Sequence, residues 1–293
     1  MKAKINEIKD DYHVIIFHLI RSAEYLPKNY KGKTILEITD LLSKNYLQLQ
    51  KKLNFFNPLK YIYFLEQILV KKYEKKIANF FNKIIFVSGN DIKYFFIGNK
   101  NKKKIQIITN GTDLKKKQYK FRTENNDIIF IGNINYLPNK LACYDFIKKI
   151  MPKLEMEGLN INFKIIGQTS NILKFFLTRH KNVEVYNNVL SIEKLCKNAV
   201  CGISNLSVAT GVQNKIMEYM RIGLPTIVSE KCFDNLRFVK NKDLLVYKNE
   251  KDFVQKIIKL KKQEKFAKKI SENCYRKIKK IYSWDKSLEK YNI

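Results

Sequence analysis

Residues 205–229 read NLSVATGVQNKIMEYMRIGLPTIVS, and the fold turns on them. The run before them, Val200–Ser204, is β-rich, and a loop containing Gly211 follows. From Gly211 to Ile222 the apolar residues Val212, Ile216, Tyr219 and Met220 recur at helical spacing, which predicts a helix. Gly223 and Pro225 end that helix and open a further strand over Leu224–Ser229. Strand, helix and strand joined by short loops make a βα unit, whose strands lie parallel.

The same alternation extends through the second half of the chain. Further β-rich runs occur at Asp127–Gly132, Asn162–Gly167, Asn182–Tyr186 and Asp243–Tyr247, with a helical stretch over Lys140–Glu157. Repeated βα units predict an α/β protein with a doubly wound parallel sheet, whose ligands sit beyond the carboxyl ends of the strands. The first half reads as part of a similar layer. Its strand candidates are His13–His18, Thr34–Thr39 and Lys83–Ser88, and a long helical stretch covers roughly 58–81, with Ile62, Leu65, Glu66, Leu69 and Tyr73 along it. Asn110-Gly111 signals a turn, and the polar, basic stretch Lys115–Thr123 after it marks a domain boundary. After Asn249 one long amphipathic helix is expected, with Phe253, Ile257, Leu260, Phe266, Ile270, Cys274 and Ile278 near one stripe, and a short helix begins near Trp284.

Composition narrows the function classes. The chain has 293 residues, 45% hydrophobic and 13% aromatic, enough for one large or two ordinary domains with real cores and too apolar for a disordered chain. No stretch approaches the roughly 18 unbroken apolar residues of a membrane-spanning helix. The start, MKAKINEIKDD, shows no apolar secretory core, and the five cysteines form no CxxC pair, so a cytoplasmic location with reduced thiols is expected. The formal net charge of +30 is spread along the chain, and only six of the 57 basic residues are arginines, the side chain suited to bidentate base and phosphate contacts. That pattern favours attraction to anionic surfaces over dedicated nucleic-acid recognition. The sequence holds no HExxH or other zinc spacing, no GxxxxGK[ST], no GxGxxG and no D-x-D, so no metal is expected.

The candidate chemistry sits where the fold is decided. Backbone N–H groups at a helix start form an anion site, Lys215 in the first turn adds a positive charge toward a phosphate, and Glu218 one turn later can accept hydrogen bonds from a sugar diol. An ordinary βα turn with a solvated Lys and Glu fits the pattern as well. In the first half, His18 and Arg21 lie in HLIRSAEY after a strand, and Asp40 ends TILEITD. End-of-strand packing for His18 and a helix N-cap for Asp40 stand beside a catalytic reading.

The stretch 205–229 resembles the C-terminal domain of family-4 glycosyltransferases, and other segments follow in family order: FVSGNDIKYF (Phe86–Phe95), IITNGTD (Ile107–Asp113), FIGNINYLPNKLACYDFIKKIMP (Phe130–Pro152), FKIIG (Phe163–Gly167), VEVYNNV (Val183–Val189) and YSWDKSLEKY (Tyr282–Tyr291). The resemblance implies a GT-B fold of two Rossmann-like domains. Residues 1–115 would be an acceptor-side domain and 116–280 a nucleotide-sugar-binding domain, with a terminal helix at 281–293 crossing back to the first. Family first domains open with a strand and a glycine-rich loop ahead of the segment seen here, so the first domain is expected to be incomplete. By position, Glu218 matches the second Glu of the family's E-x7-E motif, which binds the ribose, while the first Glu falls on Thr210. Gly211 and Val212 would offer N–H groups to the diphosphate, and Gly132 and Gly167 would permit close backbone approach. Asn133 stands in a first loop that lacks the family's cations, leaving Lys215 for the phosphate charge. Val189 and Leu190 would meet the base. Asp40 falls near the family's functional His, and His18 and Arg21 match a segment of one bacterial subgroup.

The resemblance therefore implies a retaining glycosyltransferase that takes a sugar from a nucleotide diphosphate sugar, without a cofactor. Its acceptor would be a surface glycan such as lipopolysaccharide, capsule or other exopolysaccharide, or a lipid-linked precursor. Lys-rich amphipathic helices suit a peripheral position on an anionic cytoplasmic membrane. The alternative is a non-catalytic nucleotide-sugar-binding remnant or partner subunit.

Overall fold

The computed structural model describes residues 1–95, 104–196 and 198–291 and contains two sheets, each built of parallel strands. The chain divides into two units: Met1–Asn110 with Val208–Val212 and Ser287–Ile293, and Gly111–Ser207 with Gln213–Lys286.

In the first unit the strands are β1 (Val14–His18), β2 (Lys33–Ile38), β3 (Lys83–Phe86) and β4 (Ile105–Ile107), in that order across the sheet. The expected sheet of three strands gains β4, a three-residue strand too short to show a period of two in the sequence. Phe17, Leu36, Ile38, Ile84 and Phe86 form the main core of this unit with Phe81 and Phe95. The Pro58–Ala78 helix starts with Pro58 at its first turn and Asn57 as a side-chain cap. Buried Glu74 pins this helix, its carboxylate accepting from the backbone N–H (3.1 Å) and hydroxyl (2.5 Å) of Ser43 in the first turn of the Leu42–Gln50 helix. Burial raises the Glu74 carboxyl to about 6 despite those bonds.

The second unit holds β5 (Asp127–Ile131), β6 (Asn162–Ile166), β7 (Val183–Tyr186), β8 (Ala199–Ser204), β9 (Thr226–Ser229) and β10 (Leu245–Tyr247), ordered β10-β9-β8-β5-β6-β7. Strands progress outward in both directions from the β5–β8 pair, so the topological switch point lies between them. β8 and β9 are buried at every residue, as strands covered on both faces must be. One face of the sheet packs Phe130 and Phe163 against Phe146 and Phe253. The other packs Ile129 and Ile166 with Tyr119, Tyr219 and Leu224. The helical stretch expected over 140–157 is three pieces, Leu137–Asp145, a π-helical turn Phe146–Ile150, and Met151–Met156. The stretch after Asn249 is two helices, Glu250–Lys262 and Glu264–Ile281, broken where Gln263 adopts an extended backbone.

Tyr219 joins the two halves of the larger sheet. Its ring covers Gly202, where a Cβ would lie 2.3 Å from the ring carbons. Its hydroxyl accepts from the Ile131 N–H of β5 (2.8 Å) and donates to the Ile203 carbonyl of β8 (3.1 Å). Tyr219→Phe is expected to leave the partly buried Ile131 N–H without its acceptor and to lower unfolding stability by about 1–3 kcal/mol in urea titrations. An unchanged midpoint would contradict this role.

Candidate functional site

The Asn214–Arg221 helix lies at the switch point, beyond the carboxyl end of β8. It starts three residues later than the apolar spacing predicts, because Gly211 has φ +61° and holds the loop out of the helix. Tyr219 faces the sheet and fixes the helix rotation, which places Lys215 one turn before it and Glu218 next to it.

Lys215 is buried, not solvated. Its Nζ donates to Asn139 Oδ1 at 2.6 Å and stands 4.1 Å from the centroid of the Phe130 ring. Burial lowers its pKa to about 8. Glu218 is half-buried and accepts through Oε2 from Arg221 Nε at 2.7 Å, and Arg221 Nη2 reaches Glu193 Oε1 at 3.0 Å. The Glu193 carboxyl is held below the usual range, first by its own backbone N–H and then by Ser191 and Arg221 against desolvation. The cation thus sits between two carboxylates and fixes the rotamer of Glu218.

The first loop completes this side of the site. Asn139 Nδ2 donates to the Asn133 carbonyl at 2.9 Å, so Asn139 links that loop to Lys215. Gly167, at φ +137°, brings β6 so close to β5 that a Cβ there would lie 2.2 Å from the Gly132 carbonyl oxygen. Val189 packs against the cluster around Tyr219, whereas Leu190 is fully exposed and touches none of these groups.

Of the two expected diphosphate donors, Gly211 and Val212, the first is engaged within the first unit. The Gly211 N–H donates to Asp91 Oδ2 at 2.9 Å, and Lys44 pairs with the other oxygen of Asp91 at 2.7 Å. An anion already holds the amide assigned to a phosphate. Thr210 Oγ1 donates to Asp40 Oδ1 at 3.2 Å, and Ala209 and Gln48 exchange two hydrogen bonds. Val212 is buried. Asp40 does not cap the helix after it, since Leu41 is the N-cap and no side-chain bond is made there. Asp40 keeps one side open to solvent, but the protein around its carboxylate raises its pKa by desolvation ahead of the Thr210 bond, and Asp91 raises it further. His18 is not packed at the strand end: its side chain is 62% exposed, with Nδ1 3.0 Å from Glu37 Oε2. Tyr291 donates to the other oxygen of Glu37. Arg21 is exposed.

Asp91, Glu37, Arg221 and Glu193 carry much of this geometry and escape the sequence reading. Ser88 and Asp91 have the spacing of a helix-start capping box, which was the available signal for Asp91. Glu37 lies on a strand flanked by apolar residues, and Arg221 closes a helix, so neither stands out without the fold.

The fold is the one seen in solved GT-B structures. S. aureus TarM superimposes with a TM-score of 0.74 at 16% identity, covering 99% of this chain and 56% of TarM. Anabaena Alr3699/HepE, solved with UDP and glucose, gives 0.76 at 12% identity, covering 99% of this chain and 79% of that one. Sucrose-phosphate synthase from Thermosynechococcus elongatus gives 0.77 at 12%, covering 99% and 74%. The chain thus spans little more than half the length of TarM. Residues 125–263 match the family model described as Glycosyl transferases group 1. No curated protein matches the sequence.

The buried ammonium makes a checkable pH signature. Because Lys215 loses its proton near pH 8 in the folded chain and near the ordinary 10.5 when unfolded, its stability cost is complete below about pH 8. That cost is relieved as pH rises from 8 toward 10.5. NMR of side-chain-labelled lysines should show one ammonium titrating near pH 8, and Lys215→Met should abolish it. A spectrum in which all lysines titrate in the ordinary range would contradict the burial of this cation.

Proposed function

We infer that the chain is a retaining glycosyltransferase that moves a sugar from a nucleotide diphosphate sugar to a hydroxyl of a surface glycan or its lipid-linked precursor. The observation that carries this reading is the placement of Lys215 and Glu218 on one helix at the switch point of the larger sheet, inside the segment matching group 1 glycosyltransferases. UDP in the complexes of Anabaena Alr3699/HepE and of pneumococcal GtfA supports a uridine donor.

In this reading the Glu218 carboxylate accepts hydrogen bonds from the ribose hydroxyls while Arg221 keeps it oriented. Transfer breaks the bond between the anomeric carbon and the diphosphate oxygen, and negative charge grows on that oxygen. Lys215 meets the charge as a cation with little water around it, where electrostatic stabilisation is strongest. Asn139 steers the ammonium. The acceptor oxygen bonds to the anomeric carbon and gives up its proton. His18, exposed at the carboxyl end of β1 and oriented by Glu37, stands as an acceptor-side base; Arg21 follows it in the 3-10 turn Ile20–Tyr25, and Asp40 follows the neighbouring strand β2.

Calorimetry with UDP and GDP tests the donor half. Glu218→Ala should weaken binding by about 10- to 150-fold, the equivalent of roughly 1.5–3 kcal/mol. Lys215→Gln should weaken UDP binding far more than uridine binding, and wild-type affinity for UDP should fall as pH rises above about 8. Equal losses for UDP and uridine would refute the Lys215 assignment. Failure of the folded wild type to bind either nucleotide would refute the whole reading. A sugar-transfer assay with the chain alone separates an enzyme from a nucleotide-sugar-binding subunit, and turnover is the outcome expected.

A further inference from the structure

The Pro58–Ala78 helix turns an apolar stripe outward. Ile62, Leu65, Leu69 and Tyr73 recur at intervals of three and four, which puts them on one face, and Leu65 and Leu69 are 59% and 61% exposed. The orientation is fixed from the other side, because buried Glu74 is bonded to Ser43 and cannot leave the interior without losing both bonds. At the helix start Phe55 and Phe56 protrude, 67% and 92% exposed. They are held in place rather than left loose: Phe55 meets the rings of Phe56 and Tyr61 edge-on, and the Tyr61 hydroxyl donates to the Phe55 carbonyl at 3.2 Å.

Lysines stand at both ends of this stripe. Lys51 and Lys52 precede it and Lys72 and Lys76 close it, all four exposed, while the middle from Ile62 to Leu69 holds no cation. Residues 51–76 contain seven lysines and two glutamates, one of them the buried Glu74. The helix has 21 residues and is about 31 Å long, at about 1.5 Å per residue. Among the described residues no helix is long and apolar enough to cross a membrane. An apolar face with cations at its two ends and aromatic rings at its tip is the arrangement of a helix lying in the headgroup plane of an anionic bilayer. A second copy of the chain is a poor occupant, since docking like faces would bring together lysine-rich surfaces on molecules of formal charge +30.

We propose that this face of the first unit, the Phe55–Phe56 tip and the outward stripe of the Pro58–Ala78 helix, is a docking surface for an anionic lipid bilayer. The apolar stripe and the two phenylalanines enter the acyl boundary, and the end lysines meet the headgroups. This goes beyond the transfer reaction and stands independently of nucleotide binding. It locates membrane affinity on one surface of the first unit, rather than on the lysine-rich Glu250–Lys262 and Glu264–Ile281 helices of the second.

Co-sedimentation of the full chain with phosphatidylglycerol vesicles and with phosphatidylcholine vesicles, without nucleotide, tests it. Binding should be at least tenfold tighter to the anionic vesicles and should weaken at high salt. The double variant Phe55→Ser, Phe56→Ser and the single variant Leu65→Glu should each lower it at least tenfold. All these positions are exposed, so thermal unfolding of the variants should match the wild type, and Phe56→Ser alone remains a test should the others unfold. Lys265→Gln with Lys268→Gln and Lys269→Gln, on the Glu264–Ile281 helix, should leave binding within twofold. Equal binding to both vesicle types, binding that survives the Phe and Leu variants, or an equal loss in the Lys265 series would overturn the proposal. So would a wild type that ignores vesicles but forms a dimer abolished by Leu65→Glu, which would assign the face to a second copy.

Discussion

One side chain, Tyr219, ties the site of the second unit to its sheet. Parallel strands on either side of a switch point progress in opposite directions and leave a crevice at their carboxyl ends. Tyr219 spans that point from above, accepting from Ile131 at the end of β5 and donating to Ile203 of β8. The absence of a side chain at Gly202 lets the ring descend onto the sheet. Once the ring is seated, the helix that carries it has one permitted rotation. Lys215 then falls against Phe130 and Asn139, and Glu218 falls beside Arg221. The two groups of opposite charge that the proposed donor needs, one for phosphate and one for ribose, are therefore placed by the packing of their neighbour.

The environment of these two groups differs in kind. Glu218 is paired with an arginine that also meets Glu193, so its charge is supported. Lys215 has an amide oxygen and a ring face for company, and burial lowers its proton affinity. Among the described residues no carboxylate pairs with that ammonium, and a phosphate would supply the missing anion. In the first unit the situation is reversed. The amide of Gly211, the group a phosphate would be expected to seek, is held by the carboxylate of Asp91, which Lys44 also neutralises.

The βα alternation that builds the larger sheet was legible in the sequence, because strands covered on both faces leave long apolar runs and helices between them keep a 3.6-residue period. Lys215 and Glu218 were legible too, as a cation and a carboxylate at the start of one helix. The burial of Lys215 was not, since it depends on Asn139 and Phe130, distant in sequence and adjacent only in the fold. Apolar spacing runs back through Val212, so it could not show that Gly211 takes a positive φ and delays the helix to Asn214. β4 has three residues, fewer than a pattern needs to declare itself. The stripe of the Pro58–Ala78 helix was visible as periodicity, but periodicity alone assigns such a stripe to a core. Only the bonds of Glu74 show that it faces outward.

The central claim is that the Tyr219-anchored helix presents Lys215 and Glu218 to one nucleoside diphosphate. The most direct measurement is a crystal structure of the chain with UDP bound. The account predicts ribose hydroxyls within hydrogen-bond distance of the Glu218 carboxylate and a phosphate oxygen within reach of Lys215 Nζ, with the Tyr219 bonds to Ile131 and Ile203 intact. A nucleotide bound elsewhere, or bound with Lys215 still turned only to Asn139 and Phe130, would contradict it.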